Sequence, residues 1–392
     1  MAGYLRLGMS RAPRSAGVAL ALLAHTMAVA QETRAMSDAA ASATAASEAP
    51  NRQLRIVADV DRGRRPPPST PAARSAYLLS YFQEHVHALH FAISRDGYRF
   101  TALNHGKPVL SGLTIAKQKG IRDPYLMRGP DGAFYLTMTD LHIYAQQEGL
   151  RATRWQRPEA RYGWGNNRDI ILMKSRDLIH WTHASVDVTR LSPAYRDAGI
   201  AWAPDAIYDP AARRIMVYYS TRIRNGPNYL VYAYADPAFR TLGAPRRLFP
   251  FPRPGKSAVD GDIIRVGRRY HLFFSTDDGV GNLRQAVSDR INGGYVYDPA
   301  KVDPERVGTE APMVWRRHGT DTYVLMYDVY AAKPNNMGFS ETRDFKTFRD
   351  IGRFNAPGSP MKALNFSSPK HGSITAITPA EADRLERYFA AP

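Results

Sequence analysis

The sequence predicts an all-β fold, a five-bladed β-propeller with a short C-terminal helix. Three observations lead there. Short aromatic and β-branched runs at 76–82, 133–138 and 215–220 are separated by turn chemistry at Gly129-Pro130-Asp131-Gly132, Asp209-Pro210 and Val266-Gly267-Arg268. No long amphipathic helical pattern occurs before the extreme C-terminus. A cluster of a small polar residue, Asp and an aromatic recurs, with its Asp at positions 96, 177, 236, 289 and 344. The good copies are Ser94-Arg95-Asp96-Gly97-Tyr98, Ser175-Arg176-Asp177-Leu178 and Thr342-Arg343-Asp344-Phe345; those at Asp236 and Asp289 are looser. Five copies about one four-stranded sheet apart imply five blades. Asp at such a place caps a turn, and the following aromatic packs between blades.

The elements follow in order. Residues 1–30 read as an export signal: Arg6, Arg11 and Arg14, then an apolar stretch too short for a membrane span, then Ala28-Val29-Ala30. An uncleaved anchor is the alternative. Residues 31–75 read as a disordered, Pro-rich linker containing Pro66-Pro67-Pro68, with one short strand within 54–60. The propeller domain is placed at 76–392, with blades near 76–115, 121–190, 199–250, 256–298 and 308–350. A last strand at 372–377 is expected to pair with the first blade and close the ring. Thr378 then caps a helix with Pro379 at its first position.

The 392-residue chain has no cysteine, which excludes disulfides, thiolate metal sites and a Cys nucleophile. Its formal charge is +17, and loss of residues 1–30, with three Arg and no acid, takes this to +14. The basic residues are scattered and match no nucleic-acid-binding signature, so a solvated basic surface or an acidic polysaccharide partner is expected rather than nucleic acid. An exported monomer is expected, with no membrane attachment once the signal is removed.

Four acidic motifs stand ahead of strand-like runs: Arg122-Asp123-Pro124, Trp202-Ala203-Pro204-Asp205, Val259-Asp260-Gly261 and Thr309-Glu310-Ala311-Pro312. Innermost strands of a propeller run the same way beside the central channel. Asp123, Asp205, Asp260 and Glu310 are therefore expected to begin such strands and gather at one channel mouth. Like charges there cost stability unless separated, protonated or paired, and Arg122 offsets part of the repulsion. Paired carboxylates around one cleft suit glycosidic bond cleavage; hard oxygen ligands also suit calcium. Asp123-Pro124 also fits a plain strand-entry turn. Asp262 rivals Asp260, because alternate residues share a strand face. Trp164 and Trp202 are candidate sugar-stacking walls, or blade-packing core. His371 in Lys370-His371-Gly372 reaches the channel or caps a turn. Asp205 reads as structural or substrate-touching.

These motifs in this order, with Gly132-Ala133-Phe134-Tyr135-Leu136 after the first, resemble the family 43 glycoside hydrolases over roughly 76–389. The resemblance implies an inverting mechanism that needs no cofactor, with calcium admitted as a structural ion. It implies Asp123 as general base, Glu310 as general acid, and Asp260 as the group that orients Glu310 and keeps it protonated. It implies an exo-acting enzyme on carbohydrate, foremost an α-L-arabinofuranosidase, with β-xylosidase and exo-β-1,3-galactanase as alternatives. The family 32 propellers share Arg-Asp-Pro but need an Asn-Asp-Pro nucleophile. Leu103-Asn104-His105-Gly106 does not supply that acid, which disfavours a covalent route. A glycan-binding propeller without catalysis is the rival from another class.

Overall fold

The computed structural model describes residues 51–61, 70–277 and 283–391. The expected signal at 1–30, the tether up to residue 50 and the triple proline lie outside the described residues. Five sheets follow one another along the chain. Blade 2 is Ile121–Arg128, Phe134–Asp140, Asp169–Ser175 and His180–Asp187. Blade 3 is Trp202–Asp209, Arg214–Thr221, Tyr229–Tyr234 and Arg246–Arg247. Blade 4 is Ala258–Val266, Arg269–Thr276, Leu283–Ser288 and Val296–Asp298; blade 5 is Glu310–Arg316, Tyr323–Val329, Asn336–Thr342 and Arg349–Arg353.

Blade 1 is composite. Ala76–Phe82, Ala88–Ser94 and Arg99–Ala102 receive Lys370–Ile377 as their innermost strand, antiparallel to Ala76–Phe82. The ring closes as expected, and the closing strand occupies the channel position. Each innermost strand packs on the next around the ring. The short strand expected within 54–60 is Arg55–Ile56, which pairs in parallel with His180 and Trp181 at the outer edge of blade 2.

Hydrophobic burial explains the sequence pattern. Five apolar clusters each join two neighbouring blades. Alternate residues of one strand go to opposite interfaces: Met216 and Tyr218 pack toward blade 4, Val217 and Tyr219 toward blade 2. Both sheet faces are buried, so strands read as continuous apolar runs rather than an alternation.

The Asp repeat marks the turn between the third and fourth strands of every blade. Asp96, Asp177, Asp236 and Asp344 each accept backbone N–H groups of that turn. Leu178, Phe239 and Phe345 then turn into inter-blade core with positive φ. Phe345 packs on His271 and Phe273 of blade 4. Asp289 departs from the pattern: Ser288 takes the Arg290 N–H, and Asp289 pairs with Arg269. The long first interval reflects an insertion at 141–168 between the second and third strands of blade 2.

The terminal helix is Pro379–Ala390, with Thr378 as N-cap and a capping box to Glu381. Ala382, Leu385 and Phe389 join the core between blades 1 and 2. Among the described residues no helix is long and apolar enough to cross a membrane. Deleting residues 370–392 should abolish cooperative thermal unfolding followed by circular dichroism, because blade 1 loses its innermost strand. Deleting only 379–392 should lower the melting temperature and keep the transition.

Candidate active site

Every innermost strand carries the same irregularity near its start. The register with the second strand shifts between Arg122 and Tyr125, Trp202 and Asp205, Val259 and Asp262, and Glu310 and Met313. In blade 1 the extra residues are His371 and Gly372, opposite Tyr81. The first inserted residue is left-handed in all five: Asp123, Ala203, Asp260, Ala311 and His371, at φ of 50, 45, 52, 57 and 26°. Such β-bulges re-aim side chains.

The bulge separates the four acids expected to head these strands. Glu310 precedes the bulge, in line with Arg122, Trp202, Val259 and Lys370. Asp123 and Asp260 occupy its left-handed position. Asp205 lies beyond it and matches Asp262. The bulge also breaks the period of two that made Asp262 a rival of Asp260. Asp262 is 1% exposed and accepts the Val314 N–H at 2.9 Å, a tie from blade 4 to blade 5. Burial raises Asp205 well above the ordinary carboxylate range, with Asp262, Asp260 and Asp123 adding like charge.

Neighbouring blades hold the bulges in place. Thr139 Oγ1 accepts the Ala203 N–H at 2.8 Å and donates to Asp123 Oδ2 at 2.7 Å. Ser220 Oγ accepts the Asp260 N–H at 2.9 Å, and Ser275 Oγ accepts the Ala311 N–H at 3.0 Å. Each hydroxyl belongs to the preceding blade.

Three cations meet the acids. His371 Nδ1 lies 3.2 Å from Asp123 Oδ1. Arg122 pairs with Glu84 at 3.0 Å, touches His87 Nε2 at 3.2 Å and covers the Phe82 ring. Lys370 Nζ reaches Glu84 at 3.0 Å and Glu310 Oε1 at 3.3 Å. Burial works against the charge of Asp123, but His371, Arg122 and the Thr139 hydroxyl override it and hold the group at about 2. Burial would likewise discharge His371; the Asp123 carboxylate, with Asp260 and Glu310, raises it to about 9. Asp260 is pushed up to about 7 by burial, with Glu310 and Asp123 adding to the rise against the pull of His371. At neutral pH the mouth thus holds an ionised Asp123 while Asp260 retains a proton to about pH 7.

Trp202 stands at the head of blade 3, its Nε1 donating to Gly165 O at 2.9 Å. Trp164 is 44% exposed and meets Trp202 edge to face at 5.6 Å and Trp155 at 5.4 Å. Together they form an aromatic ridge built from blade 3 and the 141–168 insertion. Among the described residues no cluster of His, Cys, Asp and Glu could hold a metal ion.

Glu84, His87, Thr139, Asp328 and Lys370 are part of this centre and carry no motif. Lys370 and His371 begin the closing strand together, which was the one available signal for Lys370.

A five-bladed propeller with this acid cluster at its channel mouth is built like the glycosidase propellers. Over residues 73–383 the chain matches the family described as "Probable glycosyl hydrolase domain", a relation of glycoside hydrolase family 43, and it belongs to that family. An α-L-arabinofuranosidase of Bifidobacterium longum subsp. longum is 24% identical over 206 residues, 47% of this chain and 17% of that protein. This chain therefore matches only a small part of that relative's length. Solved structures with a similar fold include a Clostridium thermocellum α-L-arabinofuranosidase at 12% identity and TM-score 0.48, covering 69% of this chain and 85% of that one. The catalytic domain of a Coprinopsis cinerea GH62 α-L-arabinofuranosidase shares 14% identity at TM-score 0.47, covering 69% and 78%.

Two predictions follow from the geometry. Ser220→Ala leaves the Asp260 N–H without its acceptor and should cost about 1–3 kcal/mol in urea unfolding. The His371–Asp123 pair gives a pH signature. His371 is raised from 6.5, so its stabilisation is full below 6.5 and is lost as pH rises through about 9. Asp123 is lowered from 3.8, so its share is present above 3.8 and lost as pH falls to about 2. Asp260, raised to about 7, loses stability from 3.8 up to that point only. Wild-type stability should therefore fall between pH 7 and 9, and His371→Gln should flatten that fall in denaturant titrations.

Proposed function

We propose that the protein is an exo-acting, inverting glycoside hydrolase, with α-L-arabinofuranosides as its first candidate substrates. The observation that carries this is the placing of Asp123 and Asp260 on left-handed bulges beside Glu310, with the Asp123 carboxylate fixed between Thr139 and His371. Family membership supports the reaction class, and the name of the Bifidobacterium relative supports the sugar.

In this reading Asp123 is the base. One oxygen is held by Thr139 and the other by His371, which fixes the carboxylate for an incoming water. As water attacks the anomeric carbon, its proton passes to Asp123, and Glu310 protonates the departing oxygen. Inversion requires about 6.5–9.5 Å between the two carboxyls, leaving room for that water. Asp260 orients Glu310. Arg122 binds substrate, and Trp164 and Trp202 offer stacking faces. Asp205 supports the channel beneath. Export by the 1–30 segment is part of the proposal.

A panel of 4-nitrophenyl α-L-arabinofuranoside, β-xyloside and β-galactoside tests it. Turnover of the first is expected, and cleavage of another instead would move the sugar assignment. Silence on all three with retained glycan binding would favour a binding propeller. Glu310→Gln should lower turnover of an unactivated disaccharide of the cleaved sugar by about 10²–10⁴-fold while leaving the melting curve in place; near-wild-type rates on that disaccharide would remove Glu310 from the acid role. NMR of the first anomer released tests inversion.

A further inference from the structure

Blade 5 breaks the hydroxyl pattern in the strand pair that carries Glu310. In blades 2, 3 and 4, the residue opposite the last regular position before the bulge is Thr139, Ser220 or Ser275. Blade 5 has Asp328 there, directly opposite Glu310. Asp328 is 1% exposed, and neither carboxyl oxygen accepts a hydrogen bond from the described residues. A buried carboxyl without hydrogen bonds is destabilising, so a hydroxyl would be the easier residue to place. What Asp328 faces instead is Lys370 Nζ, 3.7 Å away. The same ammonium lies 3.0 Å from Glu84 and 3.3 Å from Glu310 Oε1. Its side chain is only 10% exposed, so three carboxyls converge on one buried cation. Arg122, His371, Asp260 and Tyr330 are the other ionisable groups around Glu310 and Lys370.

We propose that Asp328 and Lys370 are positioning residues for Glu310: Asp328 and Glu84 hold the ammonium so that it faces Glu310 Oε1, leaving Oε2 to protonate the leaving group. This rests on the acid role proposed for Glu310. In the step, the proton on Oε2 passes to the glycosidic oxygen. The bond from that oxygen to the anomeric carbon breaks, and its electron pair stays with the oxygen. Water supplies the new bond to carbon, and its proton goes to Asp123. Glu310 is left as a carboxylate, and Lys370 meets the charge that appears on it. A cation placed where charge develops in the transition state lowers the barrier without moving. Assistance of this kind matters most when the leaving group is a poor one.

The test uses two variants of the full chain, Asp328→Ser, which installs the hydroxyl of blades 3 and 4, and Asp328→Asn, which keeps the shape and removes the charge. Each is assayed with 4-nitrophenyl α-L-arabinofuranoside, whose leaving group needs little protonation, and with α-1,5-linked arabinobiose, whose leaving group needs it fully. Both variants should give wild-type-like melting curves, and preference for the aryl substrate over the disaccharide should rise about tenfold or more. An unchanged preference, including an equal loss on both substrates, overturns the proposal. Failure of both variants to fold also overturns it, since Asp328 would then be needed for the fold itself. A wild-type protein inactive on both substrates refutes the arabinofuranosidase reading first, and the Asp328 role falls with it. Wild-type activity with unchanged preference in the variants refutes the Asp328 role alone.

Discussion

The site depends on a left-handed residue at the head of each innermost strand. Without it, the strand's period of two would send neighbouring side chains alternately toward the two adjoining blades. With it, Asp123, Asp260 and His371 are re-aimed at the channel mouth. Left-handed backbone in non-glycine residues is unfavourable by about 1–3 kcal/mol each. The structure offsets it with hydrogen bonds from the preceding blade, through Thr139, Ser220 and Ser275. Thr139 joins two functions, holding the bulge of blade 3 and a carboxylate of its own blade. No blade therefore carries its part of the site alone.

Charge sets the second constraint. Acids crowded at one mouth must be neutralised or paired. The chain does both, with Asp260 retaining a proton and Asp123 held ionised by His371. The cations come from two places, Arg122 on blade 2 and the Lys370-His371 pair on the closing strand. The aromatic ridge of Trp164 and Trp202 stands on the neighbouring blade and the long insertion, where loop geometry rather than the ring sets its shape.

Much of this architecture was legible because it repeats. Runs of apolar residues without alternation follow from sheets buried on both faces. The Asp turns mark one fixed corner of each blade, and Thr378-Pro379 marks the helix start by capping chemistry alone. The site was legible only in part. Asp123, Asp260 and Glu310 sit in recognisable motifs, and a Pro or Gly at 124, 204, 261, 312 and 372 stands in each bulge, but the left-handed residue before it is Asp, Ala or His and is not marked by its type. Asp205 therefore read only as structural or substrate-touching, without its match to Asp262, and Asp262 stood as a rival of Asp260. Glu84, Asp328 and Lys370 escaped notice for a different reason. Each is an ordinary charged residue in its own segment, and only ring closure brings residues more than 200 positions apart within reach of one ammonium.

The closing strand has a consequence in time. Ribosomes release the chain from its N-terminal end, and residues 370–377 emerge after every other strand of the ring. Until they dock, Asp123 has no imidazolium partner and Glu310 no ammonium beside it. The blades can pair their own strands in order of synthesis, but the charge balance of the mouth arrives in a single late event. Closure of the ring and pairing of the acids at its mouth are thus one step, and a partly made chain carries those acids without Lys370 and His371 beside them.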